Sequence, residues 1–368
     1  MRANVLNDAA LVKQAGQFAW LSVDSDKPAN AAFVEQYATG GVPLFLIIDS
    51  QTEKTALAWY GTATAPQLLR LMEDGAHAIA GGLSGADAWL ARADELNGQK
   101  KPAEAAKLYE QALEAGGPDW PRRARTIESL VMALEFGHDL PGCIEVAARE
   151  APHMIRDRSF VNTVYFGLDC AKPGSPELTE MQKLAEEGVK IPGVLGDDTS
   201  ALYQNLAGVY RRDKNEEAAT RTATAWLDYL QKHIAQAPNA ESRMGYDFHL
   251  VSVANFLHKP EIALSEIQRA ERELPNDYNP PRLAASLYQN LGRLDDALAA
   301  IDRALAKAYG VPKLSVYRTK AAILEQKGDW KAARRTYTEA IAFGRTLPPG
   351  AAPAIASLEK SLAAAQGK

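Results

Sequence analysis

Two kinds of hydrophobic pattern divide this chain. Up to about residue 78 short apolar runs alternate with turns, and beyond about residue 85 nearly every apolar position follows the spacing of an amphipathic helix. In the first part, Phe18 to Asp24 is an aromatic and aliphatic run whose length suits a strand, ended by Asp24 and Ser25. Asn30 to Tyr37 then places Phe33, Val34 and Tyr37 on one helical face, and Gly40-Gly41 stops it. Leu44 to Ile48 is a continuous apolar run closed by Asp49, the pattern of a strand covered on both faces and lying inside a sheet. Thr55 to Tyr60 returns as its antiparallel partner. Pro66 suits the first turn of a helix running to Gly75, with Leu68, Leu69 and Met72 inward. Residues 79–85, which include Gly81-Gly82-Leu83-Ser84-Gly85, read as a linker.

The second part repeats itself. Pro260-Glu261-Ile262-Ala263-Leu264 recurs as Asp295-Asp296-Ala297-Leu298 and as Trp330-Lys331-Ala332-Ala333, so the alanines at 263, 297 and 333 are 34 and 36 residues apart. Around Ala297 the register places Ala285 and Tyr288 in a first helix, Gly292 in a turn, and Ile301 and Ala304 along a second helix. Around Ala333 the equivalents are Tyr317, Ala321, Leu324, Gly328, Tyr337 and Ala340; around Ala105 they are Trp89, Ala93, Leu96, Tyr109 and Ala112. A degenerate unit surrounds Ala219. Between Pro118 and Gly196 the pattern loosens into two divergent helical pairs, and a last helix, Pro353 to Ala365, caps the end.

A helix-turn-helix unit of about 34 residues is the tetratricopeptide period, and residues 86–365 resemble that family. The first 78 residues, with T-G-G-V-P-L-F-L-I-I-D from Thr39 to Asp49, resemble the distal two-thirds of a thioredoxin domain. That resemblance implies a cis proline at Pro43 and a peptide-holding turn made by Gly41, Val42 and Pro43. The redox C-x-x-C that such a domain carries upstream is not in the sequence. Either the natural polypeptide is longer, with W-C-x-x-C shortly before Met1, or this piece is a decayed remnant acting as a cap. The expected fold class is therefore mainly α: a tetratricopeptide-like helical solenoid preceded by a partial thioredoxin-like α/β domain.

Composition changes this picture little. The net charge of -5 is spread along 368 residues with no long basic block, which excludes a phosphate-tracking surface, and nucleic acid is not an expected partner. No apolar run reaches membrane-spanning length. Cys143 and Cys170 have neither metal-ligand nor C-x-x-C spacing and read as two buried small apolar residues. Asp197-Asp198 and Asp295-Asp296 read as helix caps. Asn205, Arg211 and Arg212 are candidate peptide contacts on the helical surface. The expected function is a protein-interaction scaffold holding a protein or peptide client, with no catalytic residue, cofactor or metal. The alternative is a thiol-disulfide oxidoreductase or redox chaperone whose dithiol lies upstream of Met1. The compartment is cytoplasmic for the sequence as it stands, and periplasmic or exported if a further segment precedes it.

Overall fold

The structure, a computed structural model, describes residues 5–14, 16–37 and 43–368. Its first elements are α1 (Ala9–Val12), α2 (Ala31–Tyr37), β1 (Leu44–Ile48), β2 (Thr55–Tyr60) and α3 (Ala65–Ile79). Seven helical pairs follow among the described residues. They are α4 (Gly85–Gly98) with α5 (Pro102–Gly116), α6 (Arg123–Phe136) with α7 (Leu140–Glu150), α8 (Arg158–Cys170) with α9 (Pro176–Gly188), and α10 (Gly196–Arg212) with α11 (Glu216–Gln236). The series continues with α12 (Ala240–Phe256) and α13 (Glu261–Glu273), α14 (Asn279–Asn290) and α15 (Leu294–Lys307), and α16 (Gly310–Gln326) and α17 (Trp330–Gly344), before a final α18 (Ala352–Gln366). Two compact units result: Met1–Trp20 with Tyr37–Asp228, and Leu21–Gln36 with Tyr229–Lys368.

The helical pairs share one turn. In six of them the residue two past the end of the first helix has positive φ: Lys100, His138, Lys214, His258, Gly292 and Gly328. The N–H after each of these residues reaches back five positions, as in Lys101 to Leu96, Asp139 to Leu134, Lys259 to Ala254 and Asp329 to Leu324. This is the Schellman closure, which satisfies the last carbonyls of the first helix and sets the angle at which the second departs. The alanines expected at close contacts, Ala105, Ala219, Ala263, Ala297 and Ala333, are all fully buried. Within each unit successive helices pack on one another, as α4 on α5 and α5 on α6 in the first and α13 through α18 in the second, so each unit is a solenoid-like stack. Trp89 departs from the pattern, being 43% exposed.

The amino-terminal piece is smaller than its sequence pattern suggests. Among the described residues the sheet has two strands, β1 antiparallel to β2, with Leu44 opposite Tyr60 and Ile47 opposite Leu57. The strand expected over Phe18–Asp24 does not form: Phe18 makes a lone bridge, and Trp20 and Leu21 are 51% and 76% exposed. A strand needs a ladder partner, and beside β1 the described residues offer only β2. Among the described residues β1 is consequently not the interior strand its apolar run predicts, and the two strands do not make up a thioredoxin-like sheet. Residues 21–36 instead belong to the second unit. There Tyr309 Oη donates to Asp24 Oδ2 at 2.8 Å, and Asp26 accepts from the Val311 N–H at the start of α16. Gly310, with φ +57°, has Asp26 pressed where a Cβ would project.

β2 packs on both α3 and α4. Ile47, Leu57, Trp59, Leu68, Leu71 and Met72 form the small core between hairpin and α3, with Val5 and Leu11 closing it. Thr64 and Gln67 cap α3 reciprocally. A methyl group at Gly75 would overlap the Ile47 side chain. Gly75→Ala should therefore cost about 1–3 kcal/mol in urea unfolding despite its better helix propensity; a stabilised variant would mean the hairpin is not seated on α3.

In the second unit, Asp247 of α12 is 2% exposed, and no protein donor reaches either carboxyl oxygen. Burial first, then Glu266 of α13 and Asp277, push its carboxyl up to about 7, while Arg243 opposes them. Arg243 is itself engaged by Glu266 at 3.4 Å and by Glu273. A carboxyl with a raised folded-state pKa contributes stability that is present below about pH 4 and is lost as pH rises through about 7. Asp247→Asn should then melt higher than the parent at pH 8, by a difference on the order of 1–3 kcal/mol, and lose that advantage near pH 4. Parallel melting curves at the two pH values, followed by circular dichroism, measure this; an advantage equal at both would refute it.

Candidate protein-binding face

In the first unit α6, α8 and α10, the leading helices of successive pairs, lie side by side. On α8, Arg158, Asn162, Tyr165 and Asp169 recur at the four- and three-residue steps that keep side chains on one helical face. Glu128 and Glu135 have the same relation on α6, as do Asp198, Asn205 and Arg212 on α10. Bonds between the helices join early residues to early and late to late, so the three run parallel.

The early end is buried and ionic. Arg158, 6% exposed, donates through Nη1 to Glu128 Oε1 at 2.9 Å, through Nε to Asp198 Oδ2 at 2.8 Å, and through Nη2 to Thr62 Oγ1 at 2.8 Å. Thr62 Oγ1 donates in turn to Asp198 Oδ1 at 2.8 Å, and Asn162 to Glu128 Oε1 at 2.7 Å. Burial alone would lower the Arg158 guanidinium, but Glu128 and Asp198 hold it above its usual value. With two carboxylates on one guanidinium, burial pushes Asp198 up against the pull of Arg158 and Thr62. Alongside, Asp94 pairs with Arg125 and accepts from Tyr109 Oη at 2.8 Å. The Trp59 ring lies 4.7 Å from the Arg125 guanidinium and 5.9 Å from that of Arg158, and its Nε1 donates to Thr62 O at 3.0 Å. Asp74 of α3 grips Arg122 through both oxygens. The hairpin and α3 are thereby fastened to the helices.

The late end is open and aromatic. Phe136, 56% exposed, meets Phe166 edge to face at 6.0 Å, and Phe166 meets Tyr165 likewise at 5.1 Å. Asn205 Nδ2 donates to Tyr165 O at 2.9 Å, and the Asn205 side chain also bonds Asp169. Loss of water, then the Asp169 charge, raises Glu135, with His138 opposing. Loss of water likewise raises Asp169, against Asn205 and Arg212.

Of the residues singled out from sequence, Asn205 and Arg212 are brought together here. Arg211 turns away to Glu216, 3.4 Å distant. Gly41 and Val42 lie outside the described residues. Pro43 extends the hairpin ladder by accepting the Gly61 N–H at 2.9 Å. Asp198 is no simple cap, since it is a buried partner of Arg158. The cysteines depart furthest from expectation: both are buried, as read, but Cys143 of α7 and Cys170 of α8 form a disulfide, with Cα atoms 6.0 Å apart. The helical turn and pair packing bring together thiols that lie 27 residues apart, a relation sequence spacing does not reveal. No group of three or more His, Cys, Asp or Glu among the described residues could hold a metal ion.

No family profile matches the chain, and no curated protein matches it. Solved structures do. A tetratricopeptide repeat protein from Parabacteroides merdae aligns at 12% identity and TM-score 0.47, over 75% of this chain and 98% of its own. The Cut9-Hcn1 hetero-tetramer of APC/C aligns at 13% identity and TM-score 0.39 over 82% of this chain, which spans 54% of that one. The TPR2AB domain of yeast Sti1, in a pHSP90 complex, aligns at 13% and TM-score 0.29, over 76% and 98%. What decides the fold is the repeated hairpin, with its left-handed turn and buried alanines. The helical part is a tetratricopeptide-like solenoid.

In this solenoid most side chains of the candidate face sit where the repeat signal is faintest. Glu128, Arg158, Tyr165 and Phe166 were not singled out from sequence, yet the Arg158, Asn162, Tyr165, Asp169 series is a helical face with charge at a buried position, and that pattern was available to find them. Replacing the guanidinium tests the ionic end. Arg158→Met should destabilise by about 3–5 kcal/mol, because it leaves Glu128 and Asp198 buried without a counter-charge. Urea titration at pH 7 measures this, and a neutral result would show that the network adds nothing net.

Proposed function

We propose that this protein is an interaction scaffold that holds a segment of a client protein across α6, α8 and α10. The observation that carries the reading is the exposed Phe136 edge, set beside Phe166, Tyr165 and Asn205 on adjacent parallel helices. A large aromatic left open within a frame of polar groups is the composition of a docking surface, and the buried network at the other end keeps that frame rigid. Asn205 and Arg212 belong to the site.

The Cys143–Cys170 disulfide supports work in an oxidising compartment, where such bonds persist. No helix among the described residues is long and apolar enough to cross a membrane. With both cysteines buried and joined, this chain offers no thiolate for exchange chemistry, so the disulfide favours a scaffold over an oxidoreductase acting through its own residues.

A photo-crosslinking amino acid placed at position 136 in the native host should give a discrete adduct with one or a few proteins. The same group at Lys360, on α18, should not. Equal labelling from both positions would remove the case for this face as the docking site.

A further inference from the structure

The open end of the face sets two carboxyl groups, Glu135 and Asp169, on adjacent helices. The Asp169 charge acts on Glu135 across α6 and α8, and the basic side chains that act on the two carboxyls, His138 and Arg212, are both exposed. No protein donor reaches Glu135 Oε2, although that atom is buried. Two turns earlier on the same face of α6, Glu128 is 8% exposed; its Oε1 is taken by Arg158 and Asn162, while Oε2 again has no donor. A buried carboxylate oxygen without a donor costs free energy that a cation from outside would recover. An anion has little to gain here, because the Asn205 amide is committed to Tyr165 O and Asp169, leaving Arg212 as the cation at hand.

Resting on the protein-binding reading above, we infer that the face recognises a lysine or arginine side chain of the client, its charged head between Glu135 and Asp169 and its methylene stem along Phe136 and Phe166. Long basic side chains are suited to this division, since the stem covers apolar surface while the head seeks carboxylate. The aromatic rings add attraction for a cation passing over them. Discrimination follows from the same charges: a glutamate in place of the basic residue would meet two carboxylates.

Fluorescence anisotropy of the full chain with three labelled ten-residue peptides tests this. The peptides share alternating leucines and carry lysine, glutamine or glutamate between them. The lysine peptide should bind tightest, should weaken with added salt, and should lose at least about tenfold in affinity for a Glu135→Gln/Asp169→Asn variant. A Glu104→Gln/Glu110→Gln variant, altered on exposed α5 positions, should bind like the parent, which separates the site from the general acidity of the chain. Melting curves confirm that both variants are folded. Equal binding of the lysine peptide by parent and Glu135/Asp169 variant overturns the inference. So does a preference for the glutamine or glutamate peptide, although loss of that binding in Phe136→Ala would leave the protein-binding reading standing. If the folded protein binds none of the three, both readings fall.

Discussion

Everything in the first unit leans on one buried guanidinium. Arg158 joins three parallel helices and the loop after β2 through three hydrogen-bonded oxygens, one of which, Glu128 Oε1, it shares with Asn162. A buried charge costs several kcal/mol to desolvate, so it is tolerated only where each donor finds an acceptor in good geometry. That demand fixes the relative positions of α6, α8 and α10 more tightly than apolar contacts would, because side chains such as Leu can slide where an ion pair cannot. Trp59 then seals the site from the hairpin side, its ring lying near two arginines. The small sheet thus lies over a charge cluster.

Rigidity at one end permits openness at the other. The same three helices that converge on Arg158 present Phe136, Tyr165, Phe166 and Asn205 two to three turns further along, where no further element among the described residues packs over Phe136 closely enough to bury it. Pre-ordering of such a surface reduces the side-chain entropy a client must offset on docking.

The helical part was legible because its signal is redundant. Buried alanines at 263, 297 and 333 and glycines at 292 and 328 each point to the same hairpin. Four further turns were harder to see, since Lys100, His138, Lys214 and His258 adopt positive φ without being glycine, and a side chain there gives no compositional hint. The face between Pro118 and Gly196 was obscured for a related reason. Its helices bury Arg158 and Glu128 at places where an apolar residue would have kept the repeat visible, so buried polarity erased the repeat pattern. The Phe18–Asp24 run misled in the opposite way: its composition is right for a strand, but strand formation depends on a neighbour that local sequence does not report.

The disulfide has a topological consequence for the face. Cys143 and Cys170 close a covalent ring through the rest of α7 and all of α8, and Arg158, Asn162, Tyr165, Phe166 and Asp169 all lie inside it. In the chain-entropy description a ring of this size restricts the unfolded ensemble by about 3.5 kcal/mol, and the restriction falls on this segment above others. The central helix of the proposed face is thus tied covalently to the helix before it. A cut in its loop would also leave both fragments tethered, so the face is insured against the fraying and nicking to which stacked helical hairpins are otherwise exposed.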